Sequence, residues 1–190
     1  MIENDIRILV WKAEDSKEKS AEGWLRTLLS RSITFFTGMP YTHAALYIDG
    51  YVFEATVWKE GRKWYHGAKK TTWKVTLLEP PARYYYPKEI TNMQKATILM
   101  LAENTLGKVP YNFLQLLAFM FIYPTKWFWM KLGWVPFSAE LFGATCAVYV
   151  DELFDTVHYD IFPDRISDLV VPGDYVFMHS NLEETEPLLL

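Results

Sequence analysis

Asp49-Gly50 sits between two alternating apolar runs, Tyr41-Thr42-His43-Ala44-Ala45-Leu46-Tyr47-Ile48 and Tyr51-Val52-Phe53-Glu54-Ala55-Thr56. Asp-Gly in that setting is the strongest short-range signal for a β-hairpin with a two-residue type I′ turn. The turn sets the register. Ile48 is expected opposite Tyr51, Leu46 opposite Phe53, Ala45 opposite Glu54 and His43 opposite Thr56. Because side chains alternate, His43, Ala45, Glu54 and Thr56 share one face. His43 and Glu54 become diagonal neighbours, roughly 7–8 Å apart at the backbone and within reach of long side chains. A carboxylate there holds an imidazole's tautomer and stabilises its protonated form. The small Ala45 leaves room for the two to meet.

The chain holds one cysteine, Cys146. A lone cysteine excludes an intrachain disulfide and fits a nucleophile that needs an imidazole base. Thr145 is a plausible N-cap, which puts Cys146 in the first turn of a helix whose stripe is Tyr149, Val150, Leu153 and Phe154. A helix start beside an imidazolium favours thiolate over thiol, and its unpaired N–H groups form part of an oxyanion hole. No CxxC, HxxxH or HExxH spacing links Cys146, His43, His66, His158 or His179, no GxSxG elbow exists, and no phosphate-binding glycine loop is present. Neither a metal nor a cofactor is expected.

Composition narrows the remaining classes. With 190 residues the chain is long enough for one domain with a substantial core. A net charge of −4 supplies no basic stripe, so no nucleic-acid partner is expected. The run from Lys59 to Lys74 reads as a solvated loop. The first residues lack a basic start and a small-residue cleavage site. The expectation is therefore no Sec signal peptide and a cytoplasmic or virion-associated protein, with a membrane-peripheral location left open.

Along the chain, Ile6–Trp11 reads as a strand. Trp24, Leu25, Leu28, Leu29, Ile33 and Phe36 mark a helix stopped by Gly38-Met39-Pro40. Trp73–Leu77 alternates like a strand. Thr91 with Gln94 forms a capping box that opens a helix running to about Gly107. Asp174–Met178 reads as a closing strand, and the acidic residues from about 181 as a mobile tail. The segment 113–134 is the most unusual. Its apolar run from Phe113 to Tyr123 would be only about 16 Å long as a helix, against about 30 Å for a hydrocarbon core. It is expected either to be a buried helical hairpin or to contact a membrane or hydrophobic partner, with Trp127, Phe128, Trp129 and Trp134 as anchors.

The order of these parts resembles the circularly permuted NlpC-type (papain-like) cysteine hydrolases, and the YiiX-like branch most closely. Tyr41-Thr42-His43-Ala44-Ala45 with Phe53-Glu54-Ala55 resembles the His and acid motifs. Gly107-Lys108-Val109-Pro110-Tyr111-Asn112 resembles the Gly-x-x-Tyr-Asp/Asn element, Thr145-Cys146 the nucleophile motif, and Phe162–Leu169 the element after it. In ordinary papain-like enzymes the Cys helix precedes the His strand; here the order is reversed. The resemblance implies an α+β fold with a small antiparallel sheet packed on helices, one of them beginning at the Cys. It implies Cys146 as nucleophile, His43 as general base and Glu54 as third member, with Asp49 or Glu60 as alternatives for that role. Tyr41 and Tyr111 are expected to line the substrate cleft. The implied activity is hydrolysis of an amide (or ester) through a thioester acyl-enzyme, in a cell-wall peptide or an N-acyl or lipid substrate. A phage lysis or virion enzyme would fit delivery without a signal peptide. Thr145-Cys146-Ala147 departs from the Cys-Ser-Glu-like run of many relatives, which keeps a catalytically inactive binding or structural module as an alternative. The Asn-Cys-Glu-His-Phe motif of the lecithin–retinol acyltransferase branch is absent, which lowers the acyltransferase alternative.

Overall fold

The computed structural model describes residues 5–13, 21–60, 63–76, 80–112, 125, 145–162, 170–177 and 181–187. Most of the apolar 113–134 segment, with its four anchor residues, lies outside them, as does 163–169 of the element after the cysteine.

The Asp49-Gly50 turn organises the sheet. Both residues have positive φ, 48° and 86°, as a type I′ turn requires. The hairpin joins β2 (Tyr41–Ile48) to β3 (Tyr51–Glu60), with Ile48 opposite Tyr51 and Leu46 opposite Phe53. The turn is also tied to the start of β1 (Ile6–Lys12). Asp49 Oδ1 accepts the Asp5 N–H at 3.0 Å, and the Asp49 N–H donates to the Asp5 carbonyl at 3.1 Å. β4 (Lys63–Thr72), β5 (Arg83–Pro87) and β6 (Leu182–Glu184) complete an antiparallel sheet in the order β4-β3-β2-β1-β5-β6. The domain is α+β: six strands among the described residues, with helices alongside.

β1 and β2 are buried on both faces, which explains their near-continuous apolar runs. Ile8, Val10, Ala44, Leu46 and Phe53 belong to the main core, whereas Leu9, Ala45, Val52, Trp73 and Tyr84 form a second cluster on the opposite face. The helix α1 (Ala21–Thr37) ends before Gly38 as expected. So does α3 (Asn92–Thr105), which begins at the capping box. There Thr91 Oγ1 accepts the Gln94 N–H at 3.2 Å and Gln94 Oε1 accepts the Thr91 N–H at 3.0 Å. Thr91→Ala is expected to lower stability by about 1 kcal/mol. A denaturant midpoint equal to wild type would contradict this.

Four local expectations are corrected. The basic run is an edge strand, not a loop, because β3 offers it a full ladder from Glu60↔Lys63 to Tyr51↔Thr72. Lysines suit an edge, where they oppose pairing with another chain. That ladder ends where β3 begins, so Trp73 and its successors have no strand to join. They form the single helical turn α2 (Trp73–Thr76), with Trp73 buried and Val75 54% exposed. Asp174–Phe177 is likewise one helical turn, the fifth helix among the described residues (α5), because Asp174 Oδ2 takes the Val171 N–H at 3.0 Å in a local bond that competes with strand pairing. Residues 181–187 are not a mobile tail. Leu182 is buried against the core, β6 pairs with β5, Arg83 pairs with Glu184, and Arg7 donates to the Glu186 carbonyl at 2.8 Å.

Candidate active site

The fourth helix among the described residues, α4 (Cys146–Asp155), begins at the cysteine. Its apolar residues Ala147, Val148, Val150, Leu153 and Phe154 enter the main core. That burial anchors the helix, and the Tyr149 hydroxyl meets Thr105 Oγ1 at 2.8 Å. The first intrahelical bond runs from the Tyr149 N–H to the Thr145 carbonyl at 2.9 Å. The N–H groups of Cys146, Ala147 and Val148 precede it and have no helical acceptor. Thr145 occupies the N-cap position, but its hydroxyl makes no capping bond.

His43 and Glu54 meet as the hairpin register anticipates. The Nε2 of His43 lies 2.6 Å from Glu54 Oε2. Their side chains are one-quarter and under one-fifth exposed, at 25% and 18%. The expected Ala45–Glu54 and His43–Thr56 ladder pairs are not formed, because the β2–β3 ladder stops at Leu46↔Phe53. Beyond that point β3 pairs with β4 alone and β2 with β1 alone. His43 therefore has a ladder partner only on its β1 side, where it faces Trp11.

The sulfur of Cys146 is both a hydrogen-bonding and a Coulombic partner of His43. With Nε2 engaged by Glu54, Nδ1 is the ring nitrogen left for the thiol. Burial opposes the charged ring, but the interactions with Cys146 and with the Glu54 carboxylate outweigh it, and His43 is pushed from its ordinary 6.5 up to about 10. Trp11, opposite His43 in the β1–β2 ladder, packs on the ring with centroids 5.3 Å apart. The sequence reading placed Trp11 in a strand but not at the site. The β1–β2 register that brings it there has no turn signal to announce it.

Tyr111 lies near enough to Cys146 for the two to interact electrostatically. Burial first, and then the charge of Cys146, hold its phenol well above the ordinary range, so it stays a neutral O–H donor. It arrives through the segment Gly107–Asn112, which docks on β4. The Ala68 N–H donates to the Val109 carbonyl at 3.0 Å, and the Gly107 N–H donates to the Ala68 carbonyl at 3.2 Å. Gly67, at φ +126°, permits the close approach: a Cβ there would lie 2.3 Å from the Val109 oxygen. Tyr41 goes elsewhere. Its ring packs edge-on to Phe177 at 5.8 Å and its hydroxyl bonds Arg83. The structure thus joins Cys146, His43, Glu54 and Tyr111, and places Tyr41 among core and β5 side chains.

No group of three or more His, Cys, Asp and Glu side chains is arranged to hold a metal ion among the described residues. No helix among them is long and apolar enough to cross a membrane. No family model matches the chain, and no curated protein matches it.

Proposed function

We propose that the protein is a cysteine hydrolase of the permuted papain-like, NlpC-type kind, cleaving an amide (or ester) bond through a thioester. The observation that carries this reading is the row Cys146–His43–Glu54, with the imidazole raised to about 10 by Cys146 and Glu54 against the effect of burial. The thiolate attacks the carbonyl carbon, and the developing oxyanion is met by N–H groups of the α4 start that have no helical acceptor and by the Tyr111 hydroxyl. The His43 imidazolium gives its proton to the leaving amine. Now neutral, His43 takes a proton from water as the oxygen attacks the thioester. The carbon–sulfur bond breaks, the acid leaves, and the thiolate–imidazolium pair is restored. Glu54 keeps the ring oriented throughout.

Tyr111→Phe is expected to reduce kcat by about 10²-fold with little change in KM, the scale of one oxyanion donor. An equal rise in KM with kcat unchanged would give Tyr111 a binding role instead.

Cys146 is only 3% exposed, which favours a second reading as a non-catalytic module. Iodoacetamide labelling separates the two. A hydrolase labels at Cys146, with a profile that moves to higher pH in His43→Ala, and turns over at least one substrate in a screen of muropeptides and N-acyl amides against a Cys146→Ala control. A thiol that does not label, with no turnover, sinks the hydrolase.

A further inference from the structure

We propose that Trp11 is a positioning residue for His43: its indole steadies the imidazole in the Cys146–His43–Glu54 row and favours the protonated ring. The geometry stands apart from the hydrolase reading, and the consequence for turnover rests on it. Trp11 and His43 are directly opposed in the β1–β2 ladder. Side chains so placed have Cβ atoms only about 5 Å apart. Here the ring centroids lie 5.3 Å apart, with the planes inclined at 48°. That is inside the roughly 6 Å over which an indole attracts a cation. The pair also ends the regular ladder. One step on, the register shifts so that Lys12 faces Tyr41, and Thr42 is the extra residue of β2. A bulge of this kind bends its strand and re-aims the side chains beside it.

Trp11 is itself braced. It packs on the buried cluster of Leu9, Ala45, Val52, Trp73 and Tyr84. An indole held from behind is a fixed platform for the ring it touches. Among the described residues, the titratable groups that act on His43 are Cys146 from α4 and Glu54 from β3. Lys69 faces Glu54 across the β3–β4 ladder, and the Lys12 ammonium lies over the Tyr41 ring at 5.9 Å. The contact from Trp11 is thus an uncharged π face, and its effect has a definite sign. It stabilises the cation and not the neutral ring, so removing it lowers the His43 pKa. Mere covering by apolar bulk has the opposite sign. Burial disfavours the charged ring, so uncovering it raises the pKa.

The test uses the full chain with Trp11→Leu and Trp11→Phe. The His43 ring signal is followed by NMR titration and assigned through its loss in His43→Gln. The wild-type midpoint is expected at about 10. Trp11→Leu is expected to lower it by about one pH unit, the scale of a partly desolvated cation–π contact. Trp11→Phe keeps a weaker π face and is expected to lower it by about half a unit. On the best substrate from the screen, the alkaline limb of kcat/KM moves down with the midpoint, and a one-unit move costs about tenfold in rate above it. A midpoint that stays or rises in the variants overturns the proposal, because the indole then acts only as cover. A Phe value below the Leu value overturns it too. So does an alkaline limb that stays in place while the midpoint falls. If Trp11→Leu does not fold, the fall in Trp11→Phe decides. If wild type turns over nothing, the hydrolase reading fails by itself, and the titration still decides whether Trp11 favours the charged His43.

Discussion

Cys146→Ala is expected to abolish turnover, and His43→Ala to lower kcat/KM by about 10⁴-fold or more, the scale for members of a catalytic unit that act together. The double variant should be no worse than the cysteine variant alone, because each removal disables the same step. Steady-state kinetics on a shared substrate reads this. Additive losses would place His43 outside the proton path. Stability supplies a separate check on the same pair. The folded His43 value of about 10 lies above its ordinary 6.5. Between those values the native state binds more protons at His43 than the unfolded chain does. Its contribution is thus fully present below 6.5 and is lost as pH rises through about 10. The gap in denaturant midpoint between wild type and His43→Ala should narrow over that window. A gap that widens with pH would mean that Cys146 and Glu54 do not hold the ring charged.

Gly67→Ala carries the largest expected effect on folding outside the catalytic row. The new methyl would meet the Val109 carbonyl oxygen at 2.3 Å, and φ +126° is a conformation that side chains rarely adopt. The nearest atom is backbone, fixed by the Ala68 N–H, and cannot swing aside as a side-chain tip would. Backbone strain and overpacking each cost of order 1–3 kcal/mol. A loss of about 3 kcal/mol is expected by chemical denaturation. Relief by undocking Gly107–Asn112 would instead spare stability and displace Tyr111, lowering kcat. Wild-type stability together with wild-type kcat would show that the segment does not rest on Gly67.

Local signals carried most of the regular elements. Asp49-Gly50 marks its turn because few residue pairs accept positive φ twice, and Thr91 with Gln94 marks its helix because the box satisfies two orphan donors at once. Where the signal was only alternation, it misled. Trp73-Lys74-Val75 and Tyr175-Val176-Phe177 both alternate, yet each coils into one helical turn, the second beside the Val171–Asp174 bond. The basic stretch from Lys63 failed in the opposite direction. Its strand character depends on a ten-residue partner in β3, which the composition of the stretch itself does not reveal.

The same division runs through the proposed catalytic row. The two-residue turn and the period of two put His43 and Glu54 on one face near each other, although the β2–β3 ladder that would have paired their neighbours stops at Leu46↔Phe53. The sequence also determined that Cys146 would open a helix, from the polar residue before it and the apolar stripe after it. Only the tertiary structure decided that these two local features belong to one site. Their meeting depends on how α4 buries Val148, Val150, Leu153 and Phe154 against the sheet. The arrival of Tyr111 depends on a glycine on a different strand. Those contacts join residues far apart in the chain, and packing and loop closure, rather than any local preference, select them.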